Sequence, residues 1–146
     1  MKVAIASDHG GFELKQEILA LLQELEVEFK DFGCYTKDSV DYPDYALAVS
    51  KAVVANEYER GILICGTGIG ISIAANKVKG IRCALVHDLF SAQATRLHND
   101  SNVLAMGGRV IGPGLAREIV RVWLSTEFEG DRHIKRLDKI SEIENA

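Results

Sequence analysis

Cys65 stands where an apolar run, Ile62-Leu63-Ile64, meets the loop Gly66-Thr67-Gly68-Ile69-Gly70, which has a glycine at every second position. A strand that opens into such a loop and then into a helix turns several backbone N–H groups toward one point, where an anion can be held. A thiol at the rim of that point, beside the positive end of the following helix, can have a lowered pKa and act as base or nucleophile. The opposing expectation is that cysteine is usually a small buried hydrophobe. Other residues of useful type lie elsewhere in the chain. His98-Asn99 offers an acid or base near neutral pH. Asp8-His9, followed by Gly10-Gly11, forms a polar turn. Arg132 and Arg136 are four apart and share one helix face, and together with Arg109 they suit a phosphate dianion.

The chemistry that this set excludes is as useful. No two His or Cys residues have metal-ligand spacing, so no metal is expected. The glycine loop lacks the Lys-Ser/Thr ending of a P-loop, follows the third apolar run and not the first, and lacks the dinucleotide fingerprint. Cys34, Cys65 and Cys83 are odd in number and widely spaced, which implies neither a disulfide framework nor a zinc site.

Short apolar strands alternate with helical patterns from end to end and must position these groups. Val3 to Ala6, Glu28 to Phe32, Ile62 to Cys65, Arg82 to Val86 and Val103 to Met106 read as strands. Leu14, Ile18, Leu21, Leu22 and Leu25 mark the first helix, with its Glu and Lys residues expected on the opposite face. Pro43 suits the first turn of a helix running to about Asn56. A third helix begins inside the glycine loop, a fourth runs from Asp88 to His98, and Leu115, Ile119, Val122 and Trp123 mark a fifth. This alternation predicts a three-layer αβα sandwich, Rossmann-like, with a five-stranded parallel sheet and ligands bound beyond the strands' C-terminal ends. Asp8-His9-Gly10-Gly11, the glycine loop and His87-Asp88 all fall at such ends.

A C-terminal helical extension follows over about residues 131–146, with Ile134, Leu137, Ile140 and Ile143 recurring every third residue. Such a helix, outside a complete βα sheet, is expected to pack on a partner subunit of a homodimer or larger assembly, with folding back on its own domain as the alternative. One domain over residues 1–146 is expected from the length. With 47% hydrophobic and 26% charged residues the chain reads as globular, and its net charge of -4 argues against nucleic acid as a partner. The first apolar run is too short for a signal peptide, and no segment approaches a membrane span. A cytoplasmic protein without membrane contact is the expectation.

Taken together, Asp8-His9-Gly10-Gly11, Asp41-Tyr42-Pro43-Asp44, Cys65 to Gly70, His98-Asn99, Gly108-Arg109 and the tail with Arg132 and Arg136 resemble the ribose-5-phosphate isomerase B family. The likeness runs in order over essentially the whole chain. It implies an aldose–ketose isomerase that interconverts ribose 5-phosphate and ribulose 5-phosphate through an enediolate, with no cofactor. By this resemblance Cys65 moves the proton between C1 and C2, and the backbone of Gly66, Thr67, Gly68, Ile69 and Gly70 holds the enediolate oxygens. His98 assists ring opening, and Asp8 and Asn99 bind sugar hydroxyls. Tyr42 lies in the matched substrate-binding set. His9, Arg109, Arg132 and Arg136 hold the phosphate, some of them from the neighbouring subunit of a homodimer or dimer of dimers. One branch of the family replaces the cysteine by a glutamate just after the glycine loop; that place is Ile71 here, which leaves Cys65 as the candidate base. The alternatives are a hexose-6-phosphate isomerase acting on allose or galactose phosphates, and a sugar-phosphate-binding module without turnover.

Overall fold

In the central strands nearly every residue is buried, with successive side chains feeding two separate cores. The computed structural model describes residues 1–146. Its strands are β1 (Lys2–Ser7), β2 (Glu28–Asp31), β3 (Arg60–Cys65), β4 (Cys83–Leu85) and β5 (Val103–Gly107). All four pairings are parallel, in the order β2-β1-β3-β5-β4. Each crossover carries a helix: α1 (Phe12–Glu24), α2 (Tyr42–Val54), α3 (Ile69–Ala75) and α4 (Leu89–Asn99), with α5 (Pro113–Ser125) and α6 (Ile134–Glu144) closing the chain.

Alternation along a strand sends neighbours to opposite faces. Val3, Ile5, Ile62, Ile64, Leu104 and Met106 meet α1, α4 and α5 on one face, around Trp123. Ala4, Ala6, Leu63, Cys65, Val103 and Ala105 meet α2 and α3 on the other. The expected sandwich is therefore present, with strand ends shifted by a residue or two. β4 is trimmed to three residues, and Arg82 donates from its guanidinium to the Asn99 carbonyl at 2.8 Å instead of opening the strand.

One expectation about α1 is corrected. Lys15 is not on the solvent face but fully buried. Its ammonium donates to Asp31 Oδ1 at 2.8 Å and to the Cys34 carbonyl. An unpaired buried ammonium would be severely unfavourable, and these acceptors are what make the burial tolerable. The pair ties the start of α1 to the segment after β2, and that segment reaches the polar turn after β1 through Val40, whose N–H donates to His9 Nδ1 at 3.2 Å.

Candidate active site

The turns after β1, β3 and β5 are fastened to one another by their backbones. Asp8 N–H donates to Ile64 O at 3.2 Å, Gly108 N–H to Cys65 O at 2.8 Å and Arg109 N–H to Gly66 O at 3.0 Å. Side chains would prevent this approach. A Cβ on Gly11 would lie 2.3 Å from Ile64 O, and one on Gly107 would lie 2.6 Å from Thr67 O. Gly68 has φ +77, which an L side chain adopts at a cost.

Cys65 ends β3 in the α2–α3 core and is 5% exposed. Its sulfur nevertheless faces the loop, accepting the Gly68 N–H at 3.1 Å. Thr67 Oγ1 accepts the Ile69 N–H at 3.2 Å. Because α3 has only seven residues, its dipole adds little, and the loop's own N–H groups are the main source of positive potential. Around this loop stand four of the expected residues. Asp8 is buried, with Oδ1 accepting the Gly11 N–H at 3.1 Å. His9 follows it in the same turn. The Tyr42 ring covers Gly70, whose Cβ would lie 2.6 Å from Tyr42 Cζ. The Arg109 guanidinium covers Gly66, whose Cβ would lie 3.1 Å from its Nη1.

His98, Asn99, Arg132 and Arg136 are not at this rim. A helix that follows a parallel strand runs back against it, so its last turn lies at the strands' N-terminal ends. His98 and Asn99 close α4, and the chain re-enters the sheet through Asn102, whose carbonyl accepts the Gly61 N–H at the start of β3. Gly61 is four residues, or about 13 Å, from Cys65 along that strand. Arg132 and Arg136 follow α5, which also runs to this end. The expected site residues of one chain therefore fall into two groups, candidate half-sites, at opposite ends of its sheet.

The second half-site contains a residue that the sequence reading missed. His133 is 5% exposed, and its ring stacks on that of His98 with centroids 4.6 Å apart. Its Nε2 has no hydrogen-bond partner and lies 3.9 Å from Glu129 Oε2. Burial, with the Arg132 charge and the His98 ring next, holds the His133 imidazole below the usual histidine pKa. The available signals were its adjacency to Arg132 and its four-residue spacing from Glu129. Donor atoms of His98, Glu129 and His133 fall within 4.8 Å of one another. The neighbouring Arg132 and Arg136 charges disfavour a cation there. An anion suits this cluster better.

None of the three principal hollows of the single chain is lined by Cys65. The largest, about 500 Å³, lies between α6 and the β4 edge, with Asn99, Ile140 and Ile143 in its wall. α6 buries no residue, and Ile134, Ile140 and Ile143 are exposed on it. Ile69, Ile73, Leu85, Leu89 and Phe90 are exposed near the outer edge of the sheet, Phe90 by 79%.

Comparison with known proteins adds an independent finding. The family described as Ribose/Galactose Isomerase matches residues 3–140. Ribose-5-phosphate isomerase B of Escherichia coli (strain K12) is 52% identical over 143 residues, 98% of this chain and 96% of that protein. D-erythrulose-4-phosphate isomerase of Pectobacterium atrosepticum is 42% identical over 146 residues, 99% of this chain and 96% of that protein. The solved structure of Clostridium thermocellum ribose-5-phosphate isomerase B superposes with a TM-score of 0.98 at 54% identity, covering 99% of this chain and 98% of that one.

Proposed function

The chain belongs to the ribose/galactose isomerase family and is a sugar-phosphate isomerase, and from that premise we propose that it interconverts D-ribose 5-phosphate and D-ribulose 5-phosphate. The observation that carries the reading is Cys65 at the mouth of the fastened glycine loop, its sulfur receiving the Gly68 N–H. Cys65, as thiolate, takes the C2 proton of the open-chain aldose. The C–H electrons form the C1–C2 double bond and the carbonyl electrons move to O1. The thiol, part of whose protons exchange with solvent, then protonates C1 while the O2–H proton passes to O1, leaving the ketone at C2. Atoms and electrons balance within the sugar, so the step needs no redox partner.

N–H groups of Gly66 to Gly70 steady the enediolate oxygens, and one such donor is worth about 2.7–4 kcal/mol. Asp8 binds a sugar hydroxyl, and Tyr42 closes the pocket over Gly70. The phosphate lies between His9 and Arg109 of one protomer and Arg132 and Arg136 of its partner. His98 and Asn99 come with those two arginines, His98 to open the furanose ring. Two half-sites per chain, about 13 Å or more apart, make a symmetric homodimer the simplest assembly in which both are completed. The apolar residues left exposed on α3, α4 and α6 support that assembly.

In D2O the wild type is expected to wash deuterium into C2 of ribose 5-phosphate, and Cys65→Ala is expected to stop it. Exchange that survives in the alanine variant removes Cys65 from this role. The relative at 42% identity is named for a four-carbon phosphate, so chain length is compared directly. Ribose 5-phosphate should give the highest kcat/KM against erythrulose 4-phosphate and allose and galactose 6-phosphates, and another optimum would reassign the substrate.

A further inference from the structure

The turn after β4 contributes a side chain that the chemistry above does not use. β4 ends at Leu85 while β5 continues to Gly107, so the last N–H of β5 on that side has no strand to pair with. Val86 N–H still donates to Ala105 O at 3.0 Å. Beyond it, the ladder is completed by an imidazole: Gly107 N–H donates to His87 Nε2 at 2.8 Å. Gly107 is no ordinary strand residue. It backs onto the Thr67 carbonyl, and the next two N–H groups of its turn donate to Cys65 O and Gly66 O. The glycine loop thus hangs on the β5 turn, and the β5 turn hangs on His87.

We propose that His87 is a positioning residue of the isomerase site, a neutral imidazole whose Nε2 accepts the Gly107 N–H and so holds the Cys65 loop in register. This rests on the proposed function for its catalytic consequence. An accepting Nε2 requires the tautomer with the proton on Nδ1. Burial favours the neutral ring and outweighs the opposing pull of Asp88. The Asp88 carboxylate is itself engaged, accepting the Ser91 N–H at 2.6 Å as the N-cap of α4. The titratable groups of the other elements meeting here are Cys65 on β3 and Arg109 on the β5 turn, and α3 contributes none. Protonation would put a second donor against the Gly107 N–H and release the turn.

The test compares His87→Gln and His87→Phe with the wild type. Glutamine places an amide oxygen near the Nε2 position and never titrates, whereas phenylalanine fills the space with no acceptor. The nitrogen-15 NMR signals of the wild-type ring at pH 7.5 are expected to show the Nδ1–H tautomer. Amide exchange at Gly107, Gly108 and Arg109 should accelerate in His87→Phe and return toward wild type in His87→Gln. Loss of loop register should lower kcat between about tenfold and a hundredfold in His87→Phe with little change in KM. His87→Gln should recover most of that loss, and the acidic limb of its kcat profile should be shallower by one proton. An imidazolium or Nε2–H tautomer at pH 7.5 overturns the proposal, as do unchanged amide exchange in His87→Phe or equal impairment of both variants with the wild-type pH profile. The NMR and exchange readings do not depend on turnover. Absence of isomerase activity in the wild type therefore counts against the proposed function, and those readings still decide the role of His87.

Discussion

The two ends of the sheet hold their functional groups by different means. At the C-terminal rim, Asp8, the Cys65 loop and the Gly107–Arg109 turn are bonded backbone to backbone, and seven glycines permit contacts that any Cβ would crowd. At the other end, His98, Asn99, Arg132 and Arg136 sit on the last turn of α4 and the start of the tail. They are held by side-chain contacts such as the stacked His98–His133 rings and the Arg132–Glu129 pair at 3.1 Å. Charge developing on an enediolate gains most from donors that need no reorganisation, which suits the fastened rim. Binding a phosphate and opening a ring need long side chains that close around substrate, which suits the other end. The difference explains how one short chain can hold both kinds of group: in the proposed homodimer each copy would present a rigid half to the adjustable half of its partner.

The sharpest way to break this comparison is subunit mixing. Cys65→Ala and His98→Asn should each be inactive alone on ring-forming ribose 5-phosphate. Co-refolded in equal amounts they should regain about one quarter of wild-type activity, because half of the dimers are mixed and each has one intact site. No recovery, with mixed dimers shown by mass spectrometry, would mean that the two residues serve within one chain.

Next in size are two changes at the rim. Asp31→Ala leaves the buried Lys15 ammonium without its carboxylate and should cost about 3–5 kcal/mol in urea unfolding. Gly68→Ala combines a positive φ with a Cβ 2.7 Å from the Met106 carbonyl carbon, and should cost about 2–5 kcal/mol. Gly130→Ala, at φ +74 beside the other half-site, meets only Ile134 Cδ1 at 3.8 Å. It should cost about 1–3 kcal/mol from backbone strain alone. Equal losses at Gly68 and Gly130 would erase the distinction between a crowded rim and an open tail.

A smaller effect concerns the adjustable half. Arg132→Ala should weaken a phosphate inhibitor by about 1.5–3 kcal/mol in calorimetry if its guanidinium makes a charge-assisted bond to the ligand. Unchanged affinity would place it outside the pocket. The smallest effect is a pH dependence of stability. His133 has its pKa lowered mainly by burial, so the unfolded chain binds the proton more readily than the folded one. The stability it contributes is complete above about pH 6.5, the unfolded value, and is lost as pH falls through the lowered folded value. The urea midpoint of His133→Gln should therefore fall less between pH 7 and pH 5 than that of the wild type.

Much of this was legible before any coordinates. The apolar runs and intervening helical patterns specify a parallel sheet with two covered faces, because strands buried on both sides have no polar alternation to display. Cys65 and its loop stood out because alternate glycines after a buried strand have a physical purpose. Lys15 was misread because helix periodicity ranks lysine as solvent-facing, and only the acceptors at Asp31 and Cys34, brought in from the end of β2, reverse that ranking. His133 escaped notice because adjacency to Arg132 and a four-residue spacing from Glu129 are common in any charged segment, and His87, though placed at a strand's C-terminal end, carried no local sign of its role. What marks each is a neighbour distant in sequence: the His98 ring for one, the Gly107 N–H for the other.

The amino-acid order alone determined the layers, the candidate thiol with its cradle, and the family likeness, since these depend on local pattern and adjacent residues. Only the folded chain decided that His98, Asn99, Arg132 and Arg136 lie at the far end of the sheet from Cys65. Parallel strands force each returning helix to finish opposite the loop where it began, and which groups then share an end is set by topology that no local window contains.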